Sequence, residues 1–148
     1  MDKIFMEEAL KEAKKAFEEN EIPVGAVVVF EGRIVAKGRN NRNMEQDIAG
    51  HAELMALRTA GKVLGLHKLV KASIYTTLEP CPMCLGAIIQ SRIKNLYFGA
   101  YDKKLGAVES FMKYKEFPDS SKTNIQGGIL EIEASNLLKE FFIKMRNK

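Results

Sequence analysis

The chain has 148 residues, of which 46% are hydrophobic and 28% charged, enough for one hydrophobic core and consistent with a single domain over residues 1–148. It holds no apolar run of membrane-spanning length and no signal-peptide pattern at its start, so the expectation is a soluble cytoplasmic protein with no membrane partner. Lys and Arg total 23 against 19 acidic residues, and the net charge of +4 permits a polyanionic partner without requiring one.

Met6, Leu10, Ala13 and Phe17 recur at helical spacing and predict an amphipathic core helix from Asp2 to about Glu19. Val24 to Phe30 and Arg33 to Gly38 read as strands joined by a Glu31-Gly32 turn. The run Ala26-Val27-Val28-Val29 is nearly all apolar, as a strand covered on both faces requires. Arg39 to Gly50 is a polar loop leading to His51, and the asparagines in it suit turns. A helix follows from His51 to about Leu64, ending near Gly65. Ser73 to Leu78 is a strand, Pro82 to Ser91 a helix, and Asn95 to Gly99 a strand. Residues 101 to 123 read mostly as loop, with a short strand within Asn124 to Leu130 and a last helix from Glu131 to Arg146.

Two stretches carry the chemistry. Pro80-Cys81-Pro82-Met83-Cys84 places two thiolates three residues apart at the start of a helix, where Pro suits the first turn and free N–H groups favour negative charge. His51-Ala52-Glu53 adds one imidazole and a carboxylate. Two Cys and one His make three zinc ligands and leave the fourth tetrahedral position open, the pattern of a catalytic site. A closed site would need His67, the only other histidine, and the order His, His, Cys, Cys does not fit a zinc finger. Glu53 is then free to move protons as a general acid/base. His51-x-Glu53 with Pro80-Cys81-x-x-Cys84 matches the H-x-E…P-C-x-x-C signature of zinc nucleobase deaminases.

From about residue 4 to residue 146 the chain resembles bacterial tRNA-specific adenosine deaminases, which convert adenosine to inosine at the wobble position of an anticodon. The stretches that carry the resemblance are I-P-V-G-A-V-V-V, G-H-A-E-L-M-A-L, L-E-P-C-P-M-C-L-G-A-I-I-Q-S-R-I, Y-F-G-A-Y-D and F-F-I-K-M-R. The resemblance implies a three-layer α/β/α cytidine-deaminase-like fold with a central five-stranded mixed sheet, and a homodimer without organic cofactor. It makes His51, Cys81 and Cys84 the ligands of one zinc per subunit and Glu53 the proton shuttle. Asn40 and the Ala52 N–H fall where the family holds the flipped-out base, and Asp102, Phe142 and Arg146 where it contacts the tRNA anticodon stem-loop. A basic rim of Lys103, Lys104, Lys122, Lys144, Arg146 and Lys148 would complete the RNA surface.

Two segments depart from the family pattern. Asp47-Ile48-Ala49-Gly50 stands where D-P-T-A is usual, and Asp119-Ser120-Ser121-Lys122 where F-N-H-R is common. They bear on substrate choice and not on the metal. A free-base or nucleoside deaminase such as guanine deaminase is the alternative enzyme reading, because such enzymes also carry C-P-M-C-L-G-A-I. A zinc-stabilised RNA-binding subunit is the non-catalytic one, and the intact Glu53 argues against it.

Overall fold

Along the chain run α1 (Asp2–Glu18), β1 (Gly25–Phe30), β2 (Arg33–Arg39), α2 (Arg42–Glu45), α3 (Ala52–Leu64), β3 (Ala72–Leu78), α4 (Pro82–Gln90), β4 (Asn95–Ala100), β5 (Asn124–Gln126) and α5 (Glu131–Arg146). These elements come from a computed structural model that describes residues 2–147, so Lys148 lies outside it. The sheet order is β2-β1-β3-β4-β5, with β1 antiparallel to both neighbours and β3, β4 and β5 parallel.

Strand β1 explains the layering. Its alternate residues enter two different cores, as a period of two demands. Ala26 and Val28 pack with Ala56, Leu85, Ile88 and Phe98, under α3 and α4. Val27 and Val29 pack with Met6, Ala9 and Tyr75, under α1. Helix α5 joins α1 on that second face through Leu10, Ala100 and Ala134. The result is the expected three-layer α/β/α arrangement around a five-stranded mixed sheet.

Two glycines set the helix-to-sheet distance. A Cβ on Gly25 would lie 2.1 Å from the Ala9 carbonyl oxygen, and one on Gly38 would lie 2.4 Å from that of Ala52. Helices α1 and α3 therefore rest with their backbones directly against the sheet. The Glu31-Gly32 turn has φ of 52° and 76°, the left-handed pair that a tight antiparallel hairpin needs.

The connectivity puts four chain segments at one edge of the sheet. The pairings Gly25↔Arg39, Ala26↔Thr76 and Leu78↔Ala100 bring together the ends of β2, β3 and β4. Asn40, Asp102 and Cys81 lie one, two and three residues beyond the ends of β2, β4 and β3. Helix α5 runs alongside α1, with Phe141 edge-on to Phe17 and the Lys144 ammonium bonded to Asn20 Oδ1 at 3.2 Å.

One element differs from expectation. The polar loop before His51 contains the one-turn helix α2, whose Asn43 and Met44 N–H groups donate to the buried Glu21 carboxylate at 3.0 and 2.7 Å. That cap comes from a residue far back in the chain, so no local pattern signals it. Strand β5 is the expected short strand: it ends after three residues, because Gly127 turns its backbone against the Phe98 ring, where a Cβ would come within 2.3 Å.

Candidate active site

Both segments of the signature open helices. His51 is the N-cap of α3 and Cys81 the N-cap of α4; both have extended backbone, and neither side chain caps its own helix. Their donor atoms turn to each other instead. His51 Nδ1 lies 3.5 Å from Cys81 Sγ and 3.4 Å from Cys84 Sγ. All three donor atoms lie within 4.8 Å of one another. A tetrahedral zinc with bonds of about 2.3 Å to sulfur and about 2.1 Å to nitrogen separates S from N by about 3.6 Å. The donor set and its spacing fit that ion, with one position left for a small ligand.

The electrostatics suit metal capture. Hydrogen bonding from Cys84, and then from His51, lowers the Cys81 thiol to about 4. Cys84 moves upward, because it keeps the proton it shares with Cys81 and because it is buried. The bond to Cys81 also raises His51. Metal binding therefore has to displace the proton that the two cysteines share and any proton that His51 holds on Nδ1.

Glu53, in the first turn of α3, is buried. Burial above all, then the negative Cys81, raises its carboxyl to about 7, whereas His51 lowers it. A carboxyl poised near neutrality is the general acid/base that proton shuttling needs.

Asn40 is buried at the end of β2, and its Oδ1 accepts the Ala52 N–H at 2.9 Å. The Ala52 N–H, expected to face a base, is instead occupied by this bond: α3 needs its first donors satisfied and Asn40 supplies the acceptor. The Asn40 amide nitrogen has no hydrogen-bond partner among the described residues. Gly50 accounts for one departure from the family pattern. A Cβ there would lie 2.4 Å from Asn41 Oδ1, and the Asn41 N–H donates to the Gly50 carbonyl at 3.0 Å.

The remaining expected residues divide. Asp102 sits at this edge, but its Oδ1 accepts the Lys104 and Leu105 N–H groups at 3.1 and 3.2 Å and so shapes its own loop. Phe142 and Arg146 are exposed on the last turns of α5, where Lys144 also lies over the Phe17 ring at 5.1 Å. Lys122 does not join them within one chain. It lies on a turn beside Arg92, past the end of α4 opposite Cys81, and Asp119 pairs with both Arg92 at 3.3 Å and Lys122 at 3.8 Å. The Asp119–Lys122 substitution for F-N-H-R thus builds a local charge cluster away from the donors. Sequence reasoning missed Glu21 and Glu79, buried carboxylates whose partners are N–H groups far off in the chain, in α2 and in the 102–110 loop respectively.

Comparison with known proteins agrees with this geometry. Residues 1–100 match the model of the cytidine and deoxycytidylate deaminase zinc-binding region. The tRNA-specific adenosine deaminase of Bacillus subtilis is 43% identical over 148 residues, covering 99% of this chain and 92% of that protein. A solved structure from work on A-to-I editing by tRNA A34 deaminases at the wobble position superposes with a TM-score of 0.86 at 42% identity, covering 90% of this chain and 97% of that one. A guanine deaminase structure from Bacillus subtilis is also 42% identical, but over 66% of this chain and 63% of its own, with a TM-score of 0.63.

Proposed function

The chain belongs to the cytidine and deoxycytidylate deaminase family and, within it, to the tRNA-specific adenosine deaminases, and from that premise we propose that it hydrolyses adenosine to inosine at the wobble position (34) of tRNA, releasing ammonia. The observation that carries this reading is the His51, Cys81 and Cys84 donor triangle beside the buried Glu53, in a chain alike over nearly its whole length to enzymes of that name.

His51 Nδ1 and the two cysteine sulfurs would hold the zinc. When bound, the ion supplies the Lewis acidity that makes water a nucleophile at neutral pH. Glu53 does the proton work. Its carboxylate takes a proton from the attacking water, gives it to a ring nitrogen of the adenine, and then protonates the amine as the C6–N bond breaks. Water supplies the oxygen and both protons, so adenosine and water become inosine and ammonia. Asn40 positions the base: its Oδ1 is held by Ala52, which leaves the amide N–H groups to donate to a ring acceptor.

The RNA meets the chain on Asp102, Lys103 and Lys104 and on the last turns of α5 at Phe142 and Arg146. Phe142 is 47% exposed, an aromatic face available for stacking. The working unit is a cytoplasmic homodimer. Met83 at the start of α4, with Leu105 and Phe111 on the adjoining loop, supports a partner surface here, since all three are large apolar side chains exposed by 41%, 57% and 62%. No helix is long and apolar enough to cross a membrane.

Product analysis tests the proposal: a transcribed anticodon stem-loop with adenosine at position 34, beside free adenine, guanine, cytosine and their nucleosides. Inosine in the stem-loop, with ammonia released, is expected. Turnover of free guanine with no stem-loop product would give the guanine deaminase reading instead.

A further inference from the structure

Glu79 is 1% exposed and, among the described residues, forms no ion pair. A carboxylate buried without a counter-ion is strongly unfavourable unless N–H groups take the place of water. Here they do, and all come from one later segment. Oε1 accepts the Asp102 N–H at 3.1 Å and the Ser110 hydroxyl. Oε2 accepts the Val108, Glu109 and Ser110 N–H groups at 3.0, 2.8 and 3.0 Å. The loop closes so tightly that a Cβ on Gly106 would stand 2.4 Å from the Glu79 carboxyl carbon. Glu79 is also the second residue before Cys81, and its neighbour Pro80 accepts the Ala107 N–H at 2.8 Å. One side chain therefore joins the turn that presents a metal donor to the loop that presents Asp102, Lys103 and Lys104.

We propose that Glu79 is a positioning residue, the internal anion around which the 102–110 loop is wrapped, and that it sets where the Asp102–Lys104 face meets the RNA. This rests on the tRNA deaminase reading for its consequence and on the five hydrogen bonds alone for its structural part. Of the five donors, the Asp102 N–H is the most exposed to loss. A glutamine can keep one oxygen against the three N–H groups of Val108, Glu109 and Ser110, but its NH2 then opposes the Asp102 N–H. Glu79→Gln thus frees Asp102 first.

The test compares wild-type enzyme, Glu79→Gln and the milder Ser110→Ala, which removes one donor and leaves the carboxylate. Three readouts are zinc content, amide hydrogen exchange across residues 102–110, and kcat and KM on the anticodon stem-loop. The expected result for Glu79→Gln is full zinc content, exchange at Asp102 at least tenfold faster, and KM raised roughly fivefold or more with kcat within about twofold. Ser110→Ala should move exchange and KM the same way by less. Unchanged exchange at Asp102 in either soluble variant would overturn the structural claim. Faster exchange with unchanged KM, or a fall in kcat alone, would overturn the positioning role. A wild-type enzyme inert on every stem-loop would defeat the tRNA reading while the exchange data still judge the loop.

Discussion

The metal-donor centre and the 102–110 loop, the rim proposed to meet RNA, share one edge of the sheet, yet they are held in opposite ways. In the centre, His51 and Cys81 are helix caps and Cys84 lies one turn into α4, so each donor is fixed by a helix packed on the core. In the rim, Asp102 to Ser110 has no regular structure, and its shape is held by N–H groups gathered on Glu79. Helix placement fixes directions that side chains inherit. A loop wrapped on one carboxylate fixes backbone position and leaves its long lysines free. Changes in the centre should therefore abolish chemistry outright, and changes in the rim should grade it.

The largest effect belongs to the cysteines. Cys81→Ala or Cys84→Ala leaves two donors, and loss of the zinc with a fall in stability is expected, checked by elemental analysis and thermal unfolding. A mutant that still carried one zinc per chain would break the contrast at its root. Glu53→Ala comes next. It should keep the metal and lose about 10²–10⁴-fold in turnover, since in the proposed mechanism the carboxylate moves protons and is not a donor to the ion. Near-normal single-turnover rates would place the proton path elsewhere. Its pH linkage sharpens the point. In the metal-free chain the Glu53 carboxyl titrates near 7 folded, above its unfolded value, so its contribution is complete at low pH and is lost as pH rises through that range. Metal-free Glu53→Gln should thus gain stability over wild type by up to about 3 kcal/mol as pH goes from 4 to 8, on denaturant titrations.

Asn40→Ala falls between centre and rim. It removes the proposed hydrogen bond to the base and also the acceptor for the Ala52 N–H. A loss of about 1–3 kcal/mol in kcat/KM is expected, more than a single surface contact would give, because a buried donor is left unpaired. The smallest effect is at the rim. Arg146→Glu should reduce stem-loop deamination several-fold, with zinc retained, and wild-type kcat/KM should fall as salt rises because phosphate contacts release counterions. Activity on RNA that ignored both charge reversal and salt would remove the basic rim from the account.

The sequence was most informative where local physics decides the outcome. Apolar periodicity marked α1 and β1, Gly65 marked the end of α3 with a left-handed φ of 67°, and Pro82 marked the start of α4. Cys81, Cys84 and His51 were legible because few residue types make zinc ligands and this chain has only two Cys and two His. What stayed hidden depends on distant partners. Helix α2 forms against Glu21, twenty-odd residues earlier, and nothing within Arg42–Glu45 announces it. The Ala52 N–H looked free because its acceptor, Asn40, reaches it only through the β2–α3 packing. Lys122 looked like part of the rim because the chain alone does not reveal Asp119 between it and Arg92.

The bare backbone at Gly38 acts as a gauge. Helix α3 rests on it at the Ala52 carbonyl, one residue from the His51 imidazole, while Cys81 and Cys84 ride on a different helix, α4. The span between imidazole and sulfurs is therefore the difference between two helix placements, and a methyl group at Gly38 would enter that difference directly. A chain can keep every donor and still fail to close the triangle. Metal affinity in this fold reads out, from some distance, how closely a helix is allowed to lie on a strand.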